Sequence, residues 1–284
     1  MTAVAVAIQG EAGSFSHAAA LAVHGPDVRL VPRHSFEELF RGVTAGDADR
    51  GVVPIENSLA GSVHENYDLL RSSALHVVAE TEVRVRHCLI ARPGTAPAAV
   101  RRVASHPVAL AQCRRFFAER PAVAPVPAYD TAGSVRDLLA GRLEADAAIG
   151  SALAARLYGG EILLEGIEDH PENYTRFLVV AREPGPPGPP GPPPPAGTSK
   201  TSLAFLLPNV PGSLHRALGV FAARGLDLTK IESRPLPGRP WEYVFYLDVL
   251  GDPRGGVAEA LTELAGLARD LRVLGAYPAR ALPS

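Results

Sequence analysis

Hydroxyl and amide side chains cluster where the sequence passes from a predicted strand to a predicted helix. They form four short groups, Gly13–Ser16, Glu56–Ser58, Ser105–Pro107 and Thr131–Ser134. Any one group is typical of a helix N-cap, which stabilises a helix by about 1 kcal/mol. Four such groups, some with glycines that allow close approach of the backbone, favour a crevice whose hydroxyl and N–H donors bind a carboxylate or a phosphate.

A further polar segment, Asn173–Phe177, opens a predicted strand. Alternation along a strand puts Thr175 and Phe177 on one face and Arg176 on the other. Thr175 is therefore a candidate to present its hydroxyl to the crevice. A threonine at the start of a strand is also common for structural reasons alone.

The first part of the chain lacks the residues that several kinds of catalysis require. Residues 1–199 contain no lysine, which excludes a Schiff base, a pyridoxal phosphate anchor and a Walker-type lysine there. The sequence has no G-x-G-x-x-G, G-x-S-x-G or H-E-x-x-H motif, and its histidines show no metal-ligand spacing. We predict a reaction without cofactor or metal that depends on orientation and oriented hydrogen bonds.

The elements that position these residues follow an alternating strand and helix order. The strand and helix pairs are VAVAI (4–8) before a helix from Ser14, GVVPI (51–55) before one near Gly61, VRRVAS (100–105) before one from Pro107, and AAIG (147–150) before one from Ser151. This order predicts an α/β fold with parallel strands. Such sheets bind ligands beyond the carboxyl ends of their strands, which is where the polar groups lie.

The composition limits the kinds of partner that we expect the protein to bind. The 284 residues are 46% hydrophobic with a formal net charge of −2, and no basic tract indicates nucleic acid as a partner. No stretch approaches the roughly 20 apolar residues of a membrane span, and the N-terminus lacks the pattern of a secretory signal. We therefore expect a cytoplasmic protein with no membrane or nucleic acid partner. Cys88 and Cys113 lie in apolar runs and are predicted to be buried and reduced.

A proline-rich segment divides the chain. Residues 183–197 read EPGPPGPPGPPPPAG, which neither helix nor sheet can continue through, so we predict an extended linker between two domains. Beyond it, the pattern predicts strand, helix, strand, strand, helix, strand, which is a ferredoxin-like βαββαβ sandwich.

With these motifs in order, the chain resembles prephenate dehydratases that carry a C-terminal ACT regulatory domain. The resemblance rests on QGEAGSFSHAAA, VPIENSLAGSVHENYDLL, HCLIA, SHPVALAQC, DTAGSV, AAIGSALAARLYG and NYTRF, and on KTSLAFLLPNVPGSLHRAL and KIESRP of the second domain. It implies a two-lobed, periplasmic-binding-protein-like catalytic domain over residues 1–182, with lobes of about 1–75 plus 170–182 and 76–169. A linker at 183–199 and an ACT domain at 200–280 follow.

The resemblance also implies the reaction. Such enzymes remove a ring hydroxyl and a carboxylate from prephenate, giving phenylpyruvate, carbon dioxide and water in L-phenylalanine biosynthesis, and they need no cofactor. The family's essential threonine matches Thr175. The candidates for binding the substrate carboxylates are Ser14, Ser16, Asn57, Ser58, Thr131, Ala132 and Arg176. Residues expected to be structural are His17, Glu56, His106, Gln112 and Cys113.

In the family, phenylalanine binds as an effector where two ACT domains pair. The matching positions are Asn209, Pro211, Gly212, Ser213, Leu214, Glu232, Ser233, Arg234 and Pro235. Helix N-terminal amides would suit the effector carboxylate and Glu232 its ammonium. The resemblance therefore implies feedback inhibition and a homodimer or a homotetramer.

Two alternatives stay open from sequence. The first-lobe motifs also resemble arogenate dehydratases, which carry out the same chemistry on the transaminated substrate. The two-lobed plan is shared with solute-binding proteins, so a non-catalytic cytosolic ligand-binding protein is a further alternative.

Overall fold

A computed structural model of the chain describes residues 3–185, 199–236 and 238–279. Most of the predicted linker, residues 186–198, lies outside the described residues, as does the last residue of the predicted ACT range, 280.

The part of the chain before the linker builds two β-sheets with helices between their strands. In chain order its elements are β1 (Ala5–Gln9), α1 (Phe15–His24), β2 (Arg29–Arg33), α2 (Phe36–Ala45), β3 (Arg50–Asn57), β4 (Gly61–Ser62), α3 (His64–Ser72), β5 (His76–Arg84), β6 (Cys88–Ala91), a 3₁₀ turn (Pro97–Ala99), β7 (Arg102–Ser105), α4 (Pro107–Ala111), α5 (Arg114–Ala118), β8 (Ala124–Pro127), α6 (Thr131–Leu139), β9 (Ala147–Gly150), α7 (Ala152–Tyr158), β10 (Glu161–Glu165) and β11 (Tyr174–Ala181).

The first sheet has the order β2-β1-β3-β11-β5, with β4 paired to β3, and the second has the order β10-β6-β9-β7-β8. In the first sheet β1 runs parallel to β2 and β3, and in the second β7 runs parallel to β8 and β9. The predicted α/β class is confirmed. The lobe boundary predicted at residue 76 differs from the structure, because β5 (His76–Arg84) is a strand of the first sheet.

Local sequence explains where the helices begin. Among the described residues, five helices have a capping side chain that accepts a hydrogen bond from a backbone N–H of the first turn; the caps are Ser14, Ser35, His106, Asp130 and Ser151. Strands β1 and β9, which precede two of these helices, are apolar and almost entirely buried. The strand ends and helix starts therefore coincide at the polar groups found in the sequence.

The residues after the linker form a four-stranded antiparallel sheet with two helices. The elements are β12 (Ser199–Leu206), α8 (Ser213–Ala222), β13 (Leu228–Pro235), β14 (Tyr243–Leu250), α9 (Ala258–Leu267) and β15 (Arg269–Pro278). The strand order β13-β14-β12-β15 and the βαββαβ element order match the predicted ferredoxin-like fold. Its core packs Phe205 of β12 against Phe221 and Leu264 of the two helices.

The predicted burial of the two cysteines is confirmed in the described residues. Both cysteines are unpaired and buried, and burial raises the pKa of Cys88 to about 11. Across the described ranges, every helix is too short or too polar to cross a membrane.

The chain divides into two compact units, Met1–Val63 with Thr81–Phe177 and His64–Glu80 with Leu178–Ser284. Helix α3 and the start of β5 thus share a unit with the ferredoxin-like fold. Inside this unit Lys200 Nζ lies 2.7 Å from Glu80 Oε1, and the two side chains are only 9% and 4% exposed. The charge of Lys200 is therefore matched by a buried carboxylate.

Removing this charge tests the packing of the second unit. Lys200→Met breaks the buried pair with Glu80, and removing one partner of such a pair costs about 3–5 kcal/mol of unfolding free energy. Urea unfolding followed by circular dichroism should show this loss. The matched variant Arg254→Met breaks an exposed pair with Asp252, so its unfolding midpoint should stay near that of the unmodified protein. Equal behaviour of the two variants would contradict the assignment.

Candidate active site

A cavity of about 420 Å³ lies in the unit formed by Met1–Val63 and Thr81–Phe177. Its lining residues are Phe15, Pro54, Asn57, Ala60, Gly61, Ser62, Val63, Val85, His87, His106, Val108, Ala109, Gln112, Thr131 and Thr175. Among these described lining residues none is lysine or arginine. An anion in this cavity would therefore be held without a lysine or arginine from the lining.

Thr175 and Asn57 are joined by a hydrogen bond at the wall of the cavity. Thr175 is the second residue of β11 and is 9% exposed. Asn57, the last residue of β3, donates from Nδ2 to Thr175 Oγ1 at 2.9 Å and to Asn173 Oδ1 at 2.7 Å, with a longer contact to the carbonyl of Tyr174 at 3.1 Å. An amide nitrogen has two hydrogens, so the two shorter bonds account for both.

The other end of the Asn57 amide is also committed. Asn57 Oδ1 accepts from the backbone N–H groups of Leu59 at 3.0 Å and Ala60 at 2.8 Å. This fixes the amide with its nitrogen toward Thr175. Because Thr175 Oγ1 accepts from that nitrogen, the hydroxyl hydrogen of Thr175 remains available to donate.

Thr131 enters the cavity from the second sheet. It is the first residue of the nine-residue helix α6, and the preceding Asp130 caps the helix by accepting from Gly133 N at 2.7 Å. Burial raises the pKa of Asp130, although hydrogen bonds from Gly133 and Ala132 oppose that shift. The N-terminus of a helix carries partial positive charge, which favours an anion at this side of the cavity.

Several predicted substrate ligands have other contacts. Ser14 caps α1 by accepting from His17 N at 3.3 Å, and Ser58 Oγ donates to the carbonyl of Glu172 and accepts from Tyr174 N. Ser16, Ala132 and Arg176 also lie outside the lining, Ser16 and Ala132 being buried. The cavity therefore brings together Asn57, Thr131 and Thr175 of the predicted set. The binding roles of Ser14, Ser16, Ser58, Ala132 and Arg176 stay predictions.

Three of the residues expected to be structural lie outside the cavity lining. His17 Nδ1 accepts from Gly13 N at 2.9 Å, and Glu56 lies on β3 opposite Ser62 of β4. Cys113 is fully buried in the apolar core of the second sheet.

The other two, His106 and Gln112, line the cavity, together with His87, which the sequence analysis did not single out. His106 caps the short helix α4 through Nδ1. His87 Nε2 lies 2.9 Å from Gln112 Oε1, and burial lowers the pKa of His87. The available signal was a glutamine in an otherwise apolar helical stretch, which a packing interpretation does not explain.

A second cavity, of about 340 Å³, lies in the other unit beside α8. Its lining residues are Leu207, Pro208, Asn209, Val210, Gly212, Ser213, Leu214, His215, Trp241, Tyr243 and Phe245. Four predicted effector positions are thus in one place, while Pro211 is adjacent in sequence and outside the lining.

The remaining predicted effector residues lie on the edge strand β13. Glu232 is 3.4 Å from His64 Nε2 and Arg234 pairs with Asp68 at 2.5 Å, all within the same unit. Ser233 and Pro235 occupy the exposed face of the strand. These four residues lie outside the lining of the second cavity, so their effector roles stay predictions.

Within the described ranges, no cluster of three or more histidine, cysteine, aspartate or glutamate side chains is arranged to hold a metal ion.

Comparison with known proteins identifies the class to which this fold and cavity belong. The prephenate dehydratase family model matches residues 6–185, and the ACT domain model matches residues 201–266. The chain belongs to the prephenate dehydratase family and carries a C-terminal ACT domain. It is a dehydratase, a carbon–oxygen lyase.

Individual relatives agree with this class. The chain is 43% identical over 97% of its length to arogenate dehydratase/prephenate dehydratase 2 of Arabidopsis thaliana, of which it covers 73%. Among solved structures, the prephenate dehydratase of Arthrobacter aurescens in complex with L-Phe is 35% identical, with a TM-score of 0.86 over 98% of this chain and 90% of that chain. A structure described as GqqA, a novel type of quorum quenching acylase, is 38% identical, with a TM-score of 0.85 over 97% of this chain and 98% of that chain.

The orientation of the Asn57 amide can be tested by replacing its nitrogen with oxygen. Asn57→Asp keeps an acceptor for Leu59 and Ala60 but would draw the hydroxyl hydrogen of Thr175 away from the cavity. We expect dehydratase kcat to fall by about 100-fold or more, since positioned donors are worth roughly 10²–10⁴-fold. Asn57→Ala, which leaves that hydrogen free, should lose less. A higher kcat for Asn57→Asp than for Asn57→Ala would refute the orientation.

Proposed function

We propose that the chain converts prephenate to phenylpyruvate, carbon dioxide and water in the cavity beside Thr175. The observation that carries this proposal is the hydrogen bond from Asn57 Nδ2 to Thr175 Oγ1, which leaves the hydroxyl hydrogen of a nearly buried threonine free to donate. A dehydratase needs such a donor at the departing hydroxyl. No cofactor takes part in the proposed reaction.

The proposed reaction removes two groups from prephenate, the ring carboxylate and the hydroxyl, in one concerted step. The bond between the ring and its carboxylate breaks, carbon dioxide departs, and the electron pair enters the ring. The opposite carbon–oxygen bond breaks, so the hydroxyl leaves with its electron pair and becomes water by taking up one proton from the bulk solvent. Thr175 stabilises this charge by a hydrogen bond rather than by full proton transfer, because a threonine hydroxyl is a poor acid.

Neutral donors around the cavity are suited to the two carboxylates of prephenate. Thr131 lies at the positive end of α6, and Gln112 lines the same cavity. Oriented amides and helix ends stabilise anions without a lysine or arginine in the lining, provided that each dipole is fixed in direction.

Relatives of this chain are named for two other activities, arogenate dehydratase and acylase. The Arabidopsis relative is named for both arogenate and prephenate, and no contact in the cavity favours arogenate over prephenate. An acylase needs a nucleophile activated by a base. The partner of Thr175 Oγ1 is an amide N–H, which cannot accept the hydroxyl proton. Thr175 is therefore placed as a hydrogen-bond donor and not as the activated nucleophile of an acylase.

L-Phenylalanine is proposed to act as a feedback inhibitor at the cavity beside α8. The Arthrobacter relative was solved with L-Phe, and backbone amides at the start of α8 are suited to a carboxylate. Apolar side chains are exposed on the same unit, with Val210 51%, Ile231 46% and Trp241 77% exposed. They support pairing of ACT domains in a homodimer or homotetramer. We place the enzyme in the cytoplasm, although the Arabidopsis relative is named chloroplastic.

Replacing the hydroxyl of Thr175 tests the proposed reaction. Thr175→Val keeps the shape of the side chain and removes the donor, so kcat for prephenate should fall by about 10²–10⁴-fold. Phenylpyruvate formation, followed by its absorbance in base, measures this rate. Thr175→Ser should keep most of the rate, and Thr95→Val, in a loop outside the cavity, should keep all of it. Near-normal turnover by Thr175→Val would refute the assigned role.

Shortening an apolar wall of the second cavity tests the effector site. Leu214→Ala removes apolar contact with the phenylalanine ring, which should weaken inhibition by about tenfold while uninhibited kcat stays the same. The inhibition curve for L-phenylalanine gives the result. Leu157→Ala removes a comparably exposed leucine from α7 and should leave the curve unchanged. An unchanged response of Leu214→Ala would place the effector elsewhere.

A further inference from the structure

His87 is a buried side chain at the wall of the dehydratase cavity. It lies between β5 and β6, is 2% exposed, and shares the lining with Gln112. Its Nε2 is 2.9 Å from Gln112 Oε1, and the ring of Phe15 packs edge-on at 5.7 Å.

One loop, Gly166–Asp169, holds the backbones of both residues. The N–H groups of Gly166 and Ile167 donate to the carbonyl of His87 at 2.9 and 3.1 Å, and His87 N donates to Glu168 Oε2 at 2.8 Å. Asp169 N donates to the carbonyl of Gln112 at 2.7 Å. Because the same loop anchors both backbones, the distance between the two side chains is set by the fold.

The protonation of His87 follows from its surroundings. Desolvation by burial lowers the pKa of His87, and this effect exceeds the opposing effects of the Gln112 hydrogen bond and the Glu168 carboxylate. A neutral ring carries one proton, and Gln112 Oε1 can only accept, so the proton lies on Nε2. Nδ1 is buried with no hydrogen-bond partner among the described residues. With the proton on Nε2, Nδ1 is an unprotonated acceptor, so the ring has no buried N–H group without a partner. Buried N–H groups without a partner are rarer in proteins than buried acceptors without one.

We infer that His87 is a positioning residue: its Nε2–H holds Gln112 Oε1, which turns the Gln112 amide nitrogen toward the cavity as a donor to a substrate oxygen. The inference rests on the proposed function, in which the substrate is a dianion. An amide turned the other way would present an acceptor to that dianion. In a lining without lysine or arginine, the direction of each amide decides between attraction and repulsion.

Kinetics of paired variants test this role. His87→Phe fills the space without a donor and should raise KM for prephenate about tenfold to a hundredfold, with kcat nearly unchanged. His87→Gln keeps an N–H donor at about the position of Nε2. It should restore KM to within about threefold of the value for the unmodified protein. Gln112→Ala should raise KM like His87→Phe, and the double variant should be no worse than Gln112→Ala. Additive losses, or equal losses for His87→Gln and His87→Phe, would overturn the inference.

A second measurement separates this inference from the proposed reaction. Nitrogen-15 NMR of the histidine rings of the unmodified protein should show His87 neutral with its proton on Nε2 at pH 7. A proton on Nδ1, or a charged ring, would overturn the inference even in an active enzyme. If the unmodified protein turned over no prephenate, the proposed reaction would fail, and the ring spectrum would still decide how His87 holds Gln112.

Discussion

The account depends on one hydrogen bond, from the amide nitrogen of Asn57 to the hydroxyl oxygen of Thr175. The two residues are 118 positions apart in sequence, and they meet because β3 and β11 are neighbours in the first sheet. The backbone N–H groups of Leu59 and Ala60 hold the other end of the amide, so it cannot turn around. Everything proposed for Thr175 follows from the direction of this amide.

The same constraint recurs across the cavity, because its described lining has no lysine or arginine. Neutral groups bind an anion well only when their dipoles are fixed before it arrives, since turning them during the reaction would cost free energy. Asn57 is fixed by backbone N–H groups, and Gln112 by the ring of His87. Thr131 is fixed by its place at the start of a capped helix.

The sequence predicted the fold because the alternation of strands and helices depends on local patterns of apolar and capping residues. It also predicted that Asn57 and Thr131 would line a crevice, because polar groups at strand-to-helix junctions are typical ligand sites in α/β folds, and the family resemblance added Thr175. It could not separate these residues from Ser14, because the same hydroxyl can cap a helix or line a cavity. The role of His87 was missed, because its partner is 25 residues away and the loop that holds both comes much later.

The central claim is that Asn57 and Thr175 act as one unit, and a double-mutant cycle tests it most directly. The quantities to measure are kcat values for prephenate of Asn57→Ala, Thr175→Val and the double variant, with folding checked by circular dichroism. If Asn57 acts by presenting the hydroxyl of Thr175, the double variant should be about as slow as Thr175→Val alone, because residues that act as a unit are not additive. Losses that multiply in the double variant would show that the two residues act independently and would contradict the account.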